Sequence, residues 1–189
     1  MTAGRIPARE IPLDAGELKR RLGDDYAETL EKYASLREDI LSSVKVKYAI
    51  SNTSLKVSGD TIHISDTGIE SKSLARHLSH YKNCAVVALT LGVDADRLIR
   101  RYEAKGQTVG FVADALLSVI ADSACLKICG ELFPFEHSAP FAVGYADTDT
   151  KHLPHLLKIA DPKGTLGITF TDSYLMIPTK SIVVIVGKM

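Results

Sequence analysis

The stretch that decides the fold class reads CAVVALTLGVDADRLIRRYE at residues 84–103. Its first part, from Cys84 to Leu91, is an almost unbroken apolar run that ends at Gly92, which predicts a strand buried on both faces. Its second part, from Asp94 to Glu103, predicts a helix. A longer helix is predicted from Val109 to Leu132. Because it is apolar on most sides, we expect it to be the central packed helix.

The N-terminal part of the chain holds two predicted helices before any predicted strand. Residues 1–13 have no periodicity and are interpreted as an arm laid over the body of the protein. Capping-box spacing at Asp14 predicts a short helix, and a second helix is predicted from about Asp25 to Ser42. We therefore divide the chain into an arm with a helical subregion (1–43) and an α+β domain (44–189), expected to form one structural unit.

Alternating apolar residues predict most of the remaining strands. The predicted strands are Val44–Ile50, the hairpin strands 55–57 and 62–64, Leu166–Phe170, Tyr174–Ile177 and Ile182–Val186. Short helices are predicted at Ser71–Tyr81 and Lys151–Ile159, and a loop at Phe133–Tyr145. Because helices and strands do not alternate as regular βαβ units, the predicted class is α+β with a mainly antiparallel sheet.

Composition argues against several classes of protein. Lysine plus arginine (23) balances aspartate plus glutamate (23), so we do not expect a nucleic-acid-binding protein. No run near 18 consecutive apolar residues is present, so no membrane span is expected. An odd number of cysteines, three, and no apolar signal core in the first residues predict a cytoplasmic protein. The sequence has no P-loop, no G-x-G-x-x-G after a strand, no G-x-S-x-G and no H-E-x-x-H.

Cysteine and histidine pairs at helical spacing are the candidate metal or redox residues. The pairs are Cys125 with Cys129, His77 with His80, and His152 with His155. A zinc site needs a third or fourth ligand, which the sequence does not indicate. We interpret the cysteines as core residues and the histidines as surface residues, with a metal-dependent enzyme as a weaker alternative. The reactivity of the cysteines depends on their exposure.

The loop SAPFAVGY at residues 138–145 is the most unusual segment. It offers Gly144, the amphipathic Tyr145 and several free backbone amides, and His137 lies beside it. Such a loop can hold an adenine or a carboxylate. On spacing alone, an ordinary connection with a buried aromatic explains it equally well. The polar run Thr171-Asp172-Ser173 is predicted to lie near this loop, with a strand cap as the alternative.

Two motifs resemble a known family. TLGVDADRLIRR at 90–101 and GITFTDSYLMIPTKS at 167–181 resemble stretches of the stand-alone relatives of the activation domain of cobalamin-dependent methionine synthase. The resemblance covers roughly residues 14–187. It implies an α+β domain that binds S-adenosylmethionine and has a curved, mainly antiparallel sheet flanked by helices.

The resemblance also implies a function. The chain would be an accessory protein for reductive reactivation of a methionine synthase or related corrinoid methyltransferase. It would position S-adenosylmethionine for methyl transfer to cobalamin carried by a partner protein, with a flavodoxin- or ferredoxin-like protein as electron donor. It would thus be a component of a methyltransferase activity rather than an independent catalyst. Apolar surfaces that face other domains in a full synthase would be free to form a homodimer here.

The resemblance assigns cofactor-binding residues and also shows departures from the family. The assigned residues are Ala139, Pro140, Val143, Gly144, Tyr145, Asp114, Thr171, Asp172 and Ser173. The family's loop reads R-x-S/A-P-G-Y, with an arginine that binds the S-adenosylmethionine carboxylate. In this chain residues 141–143 are inserted between the Ala-Pro and Gly-Tyr parts of this pattern, and no arginine stands at the position of the family's arginine. Ser118 also replaces an acidic residue of the family, and Asp172 replaces a glutamate.

These departures favour a second hypothesis. The chain would then be a non-catalytic binding module of the same fold that docks on a corrinoid protein without binding S-adenosylmethionine.

Overall fold

A computed structural model describes residues 1–132 and 136–189, with the side chain of residue 132 left out. The strands are β1 (Thr2–Pro7), β2 (Lys45–Ser58), β3 (Thr61–Ile64), β4 (Thr67–Glu70), β5 (Asn83–Thr90), β6 (Phe141–Ala142), β7 (Thr169–Phe170), β8 (Met176–Ile177) and β9 (Ser181–Lys188). The helices are α1 (Ala15–Leu22), α2 (Tyr26–Lys32), α3 (Ala34–Ser43), α4 (Lys72–Leu78), α5 (Val93–Glu103), α6 (Gln107–Leu132) and α7 (Leu153–Ala160). Single 3₁₀ turns lie at Ala8–Glu10 and Thr150–His152.

A seven-stranded antiparallel sheet organises the fold. Its strand order is β4-β3-β2-β5-β9-β6, with β1 also paired to β2. The long β2 pairs with β1 and β5 along its first part and with β3 along its last four residues. The strands β7 and β8 form a separate two-stranded ribbon. The predicted α+β class with a mainly antiparallel sheet is confirmed.

The strand β5 is buried on both faces, as predicted. Ala85, Val87 and Leu89 belong to the core cluster that also contains apolar residues of α1, α2, α3, α5 and α6. The alternate residues, such as Val86 and Ala88, belong to the opposite cluster with α4 and α7. Since successive side chains of a strand point to opposite faces, helices cover both faces of the sheet at its centre.

The N-terminal residues differ from the prediction. Thr2–Pro7 is a strand rather than an irregular arm, and it pairs with β2 from Thr2 opposite Ile50 to Pro7 opposite Lys45. All six residues of β1 are exposed or half-buried, so the strand carries no strict apolar alternation. The strand therefore depends on backbone pairing with β2, which local sequence does not reveal.

Further predictions of local structure are corrected, and the strands predicted at Leu166–Phe170 and Tyr174–Ile177 shorten to β7 and β8. The helix predicted over residues 25–42 divides at Tyr33 into α2 and α3. The strand Thr67–Glu70 was not predicted, because Ile69 is its one buried residue. The predicted loop at 133–145 contains β6, and its residues 133–135 lie outside the described residues. The division of the chain at residue 43 stays a prediction.

The helix α6 is the central packed helix, as predicted. By length and hydropathy its segment Gln107–Glu131 would also be long enough to cross a membrane, but 67% of the apolar window is buried inside the protein. Cys125 and Cys129 are 5% and 1% exposed, which agrees with their interpretation as core residues. A hydrogen bond to Cys129 and burial raise the pKa of Cys125, so this thiol is a poor nucleophile.

Candidate functional site

A groove of about 520 Å³ opens between α1, the loop after β6 and the strand β9. Its volume falls in the range of small-molecule sites, roughly 300–1,000 Å³. The lining residues come from four parts of the fold: Glu17, Arg20 and Arg21 of α1; Asp122 of α6; Pro140–Val143, Tyr145 and Ala146 of the loop region; and Met176, Ser181, Ile182 and Val183 of β8 and β9. The groove therefore has an apolar wall along the sheet and a charged wall along α1 and α6.

The apolar wall is fixed by the sheet. Phe141 and Ala142 pair with Ile185 and Val184 of β9, and the next residue, Val143, is only 6% exposed. This pairing leaves little freedom to the segment that enters the groove. Two of the three residues that depart from the family's loop pattern, Phe141 and Ala142, thus form an edge strand.

A tight turn after Val143 presents Tyr145. Gly144 has φ of 95°, a conformation that favours glycine, and a Cβ there would lie 2.8 Å from Cγ2 of Thr150. The amide of Gly144 donates to Oγ1 of Thr148 (3.0 Å), whose hydroxyl donates to the carbonyl oxygen of Tyr145 (2.6 Å). The side chain of Tyr145 stands 73% exposed at the groove. The amide of Gly144 is bonded inside the turn, so it is not one of the free backbone amides that the loop was expected to offer.

Asp147 anchors this turn to the start of α4. One carboxylate oxygen accepts from Oγ of Ser71 and the other from the amide of Lys72, both at 2.7 Å. The amide of Ser73 lies 3.3 Å from both oxygens. These hydrogen bonds, the one from Ser71 first, lower the pKa of Asp147 to about 2. Asp147 therefore holds the Tyr145 turn against α4.

We expect the anchor to depend on pH. The pKa of Asp147 in the folded protein, about 2, is below its ordinary value of 3.8, so the ionised carboxylate stabilises the fold. This contribution is complete above the ordinary value and is lost as the pH falls through the folded value. Asp147→Asn is therefore expected to lower the urea midpoint at pH 7, with a smaller difference from the unsubstituted protein near pH 2. An equal difference at both pH values would contradict the assignment.

A second contact with α4 holds the start of the loop. Nε2 of His77 donates to the carbonyl oxygen of Ala139 at 2.8 Å, and the His77 ring lies 5.3 Å from the ring of Phe141. Ala139 itself is exposed and does not line the groove. Of the predicted loop residues, Pro140, Val143 and Tyr145 line it.

The charged wall was not predicted from the sequence. Arg20 donates from Nε to both carboxylate oxygens of Glu17 at 3.1 Å, one turn earlier in α1. Arg21 donates from Nη2 to Asp122 of α6 at 2.7 Å, which joins the two helices. Asp14 also ties α1 to α6, because its amide donates to Oγ of Ser123 at 3.1 Å. In the sequence these charges look like the polar face of a short surface helix, since nothing local indicates that α1 lies beside residues 140–146.

The histidine pairs do not form a metal site with the cysteines. Among residues 1–132 and 136–189, no group of three or more histidine, cysteine, aspartate or glutamate side chains is placed to hold a metal ion. His77 forms its hydrogen bond with the carbonyl oxygen of Ala139. His155 lies 3.2 Å from the carboxylate of Asp66, and burial lowers the pKa of His152. His137 makes a backbone bridge with Lys188 in β9.

Sequence comparisons with known proteins give no match: no family model matches the chain, and neither does any curated protein. A comparison with solved structures does give a match, to a crystal structure of the MetH reactivation domain bound to AdoHcy. The TM-score is 0.71, and the match covers 98% of this chain and 77% of the other at 13% sequence identity. This chain has the fold of the MetH reactivation domain. The resemblance stated from the two motifs is confirmed at the level of the fold, including the curled antiparallel sheet.

The two motifs of the resemblance lie against each other in this MetH reactivation domain fold. Asp96 in the first motif accepts from the hydroxyl of Thr179 (2.6 Å) and from its amide (3.2 Å). The Ser181 hydroxyl donates to Oγ1 of Thr90 at 2.8 Å, and the amide of Leu91 donates to the carbonyl oxygen of Lys180 at 2.9 Å. The motifs therefore join α5 to the turn before β9. The hydrogen bonds between the two motifs therefore give them a structural role in this chain.

The remaining predicted site residues lie away from the groove lining. Asp114 forms an ion pair with Lys180 (2.8 Å), which also donates to Oγ of Ser118 (2.8 Å). Thr171 lies within 3.0 Å of the Ser173 hydroxyl and accepts from the amide of Leu175 (3.1 Å). Asp172 stands exposed in the same turn between β7 and β8. The turn is built by its own hydrogen bonds.

Proposed function

We propose that this protein binds S-adenosylmethionine in the groove beside Tyr145 and presents its methyl group to cobalamin on a partner protein. The reaction served would be the reactivation of a methionine synthase or a related corrinoid methyltransferase, in the cytoplasm. The observation that carries the proposal is the groove itself, with apolar and charged walls and an exposed tyrosine. The fold supports it, since a solved protein of this fold was crystallised with AdoHcy.

The walls of the groove suit the two ends of such a ligand. The ring of Tyr145 is largely exposed and can stack on an adenine, and Val143, Met176 and Ile182 offer apolar contact. Glu17 and Asp122 on the opposite wall are paired with Arg20 and Arg21, so this wall carries both signs of charge, as does the amino-acid end of the ligand. Both carboxylates are thus held in ion pairs, and transfer of a methyl group from a sulfonium to cobalamin needs no general base on this chain. The chain therefore acts by binding and orienting.

Orientation is a sufficient catalytic task for this reaction. Holding the methyl donor next to its acceptor turns an encounter of two molecules into a step within one complex, worth up to roughly 7–11 kcal/mol of the barrier. The cobalamin on the partner supplies the methyl acceptor, and a flavodoxin- or ferredoxin-like donor supplies the electron. The pairing of β6 with β9 and the Asp147 anchor keep Tyr145 in place for this task.

An apolar surface next to the groove supports docking of the partner at this side. Met176 of β8 lines the groove, and its neighbours Leu175 and Ile177 are 64% and 44% exposed. Tyr174 in the same ribbon is 41% exposed. Exposed apolar side chains grouped beside a site are typical of protein interfaces.

The proposal is tested by methyl transfer in a reconstituted system. The protein is mixed with the cobalamin-binding module of a methionine synthase in the cob(II)alamin form, a low-potential reductant and S-adenosylmethionine labelled in the methyl group. We expect labelled methylcobalamin to form only when this protein is present. No transfer, although S-adenosylmethionine and the module each bind the protein, would overturn the proposed activity. Binding of the module without binding of S-adenosylmethionine would favour the non-catalytic docking module.

A further inference from the structure

We infer that Arg20 of α1 is the residue that binds the carboxylate of the ligand's amino-acid end, an assignment that rests on the proposed function. The loop at 139–145 contains no arginine, so a guanidinium at the groove has to come from another element. Among the described residues that line the groove, Arg20 and Arg21 are the cationic ones, and both belong to α1. The N-terminal helix thereby becomes part of the ligand site.

Arg20 is free to change partners, whereas Arg21 is not. The side chain of Arg20 is 62% exposed, and the structure pairs it with Glu17 of its own helix. Such exposed pairs within one helix contribute little to stability, because water screens the two charges. Arg21 is 27% exposed and donates to Asp122 across the α1–α6 contact at 2.7 Å. Moving Arg21 would break the link between these two helices, so Arg20 is assigned to the ligand.

Glu17 keeps a charged neighbour when Arg20 turns to a ligand. Its Oε2 lies 3.4 Å from Nε of Arg21, and its amide is already capped by Asp14 at 2.8 Å. The exchange therefore replaces one carboxylate partner of Arg20 by another and leaves no buried charge alone. The guanidinium presents donors in a rigid fork that matches a carboxylate, so the contact can be bidentate.

Two ligands and two variants test the assignment by calorimetry. The ligands are S-adenosylhomocysteine and its decarboxylated analogue, which differ by the carboxylate alone. The variants are Arg20→Gln and, as a matched control, Arg97→Gln. Arg97 forms the same i,i+3 pair in α5, with Asp94 at 3.0 Å, and its side chain is 76% exposed. It does not line the groove.

We expect Arg20→Gln to weaken S-adenosylhomocysteine binding about tenfold or more, because charge-assisted hydrogen bonds are strong. Its affinity for the decarboxylated analogue is expected to stay within about twofold of the unsubstituted protein, and Arg97→Gln is expected to change neither. Equal weakening of both ligands by Arg20→Gln, or no weakening of either, would overturn the assignment while the proposed function stands. If the unsubstituted protein binds neither ligand, both the assignment and the proposed function fail.

Discussion

Replacing Tyr145 by alanine is expected to lower the affinity for S-adenosylhomocysteine about tenfold or more. The ring is 73% exposed on a turn held by Thr148 and Asp147, so it is available to stack on a base. Stacking of a base on an aromatic side chain contributes roughly 1–3 kcal/mol, which corresponds to a five- to 150-fold change in the dissociation constant. Calorimetric titration of the variant measures this directly.

Two further variants test whether the loss of affinity is specific to the ring of Tyr145. Tyr145→Phe keeps the ring and is expected to bind nearly as tightly as the unsubstituted protein, because the ring and not the hydroxyl makes the proposed contact with the base. Tyr174→Ala removes another exposed tyrosine, in the ribbon of β7 and β8, and is expected to leave ligand affinity unchanged. Unchanged affinity in Tyr145→Ala, or equal losses in Tyr145→Ala and Tyr174→Ala, would remove Tyr145 from the site.

The largest expected effect on stability is that of Leu116→Ala in α6. Leu116 is fully buried in the cluster that joins α6 to the sheet and to the N-terminal helices. Truncation of a buried leucine removes transfer free energy and leaves a cavity, which costs about 2–5 kcal/mol. For a chain of this size that corresponds to a fall in Tm of roughly 5–15 °C, measured by thermal or urea unfolding.

The same helix provides the control for this variant. Leu126 is 54% exposed, so Leu126→Ala is expected to change the unfolding free energy by about 0.5 kcal/mol at most. The pair therefore tests which side of α6 faces the core. Similar losses of stability in both variants would contradict the packing described above.

The fold could be predicted where burial imposes a pattern on the sequence. The unbroken apolar run of β5 and the apolar length of α6 indicate a buried strand and a central helix packed on most sides, and both are present. The strands β1 and β4 could not be predicted, because their side chains are mostly exposed and backbone pairing with β2 and β3 holds them. Tertiary pairing of this kind leaves no local signal.

In the candidate site, too, some features have a local signal in the sequence and others depend on contacts between distant elements. From the sequence, the loop around Gly144 and Tyr145 could be a binding loop or an ordinary connection with a buried aromatic; in the structure Tyr145 is 73% exposed on a turn. The charged wall of Arg20, Glu17 and Asp122 was missed, because it depends on α1 lying against α6 more than 100 residues away, as the contact of Arg21 with Asp122 shows. The resemblance placed the arginine within the loop itself. A contact between distant elements cannot be read from spacing.

The most direct test of the central claim is a calorimetric titration of the unsubstituted protein with S-adenosylhomocysteine, carried into the millimolar range. We predict saturable binding of one ligand per chain, with backbone amide shifts in NMR spectra centred on residues 140–146 and on α1. A flat titration through the millimolar range, or shifts centred away from this groove, would contradict the account.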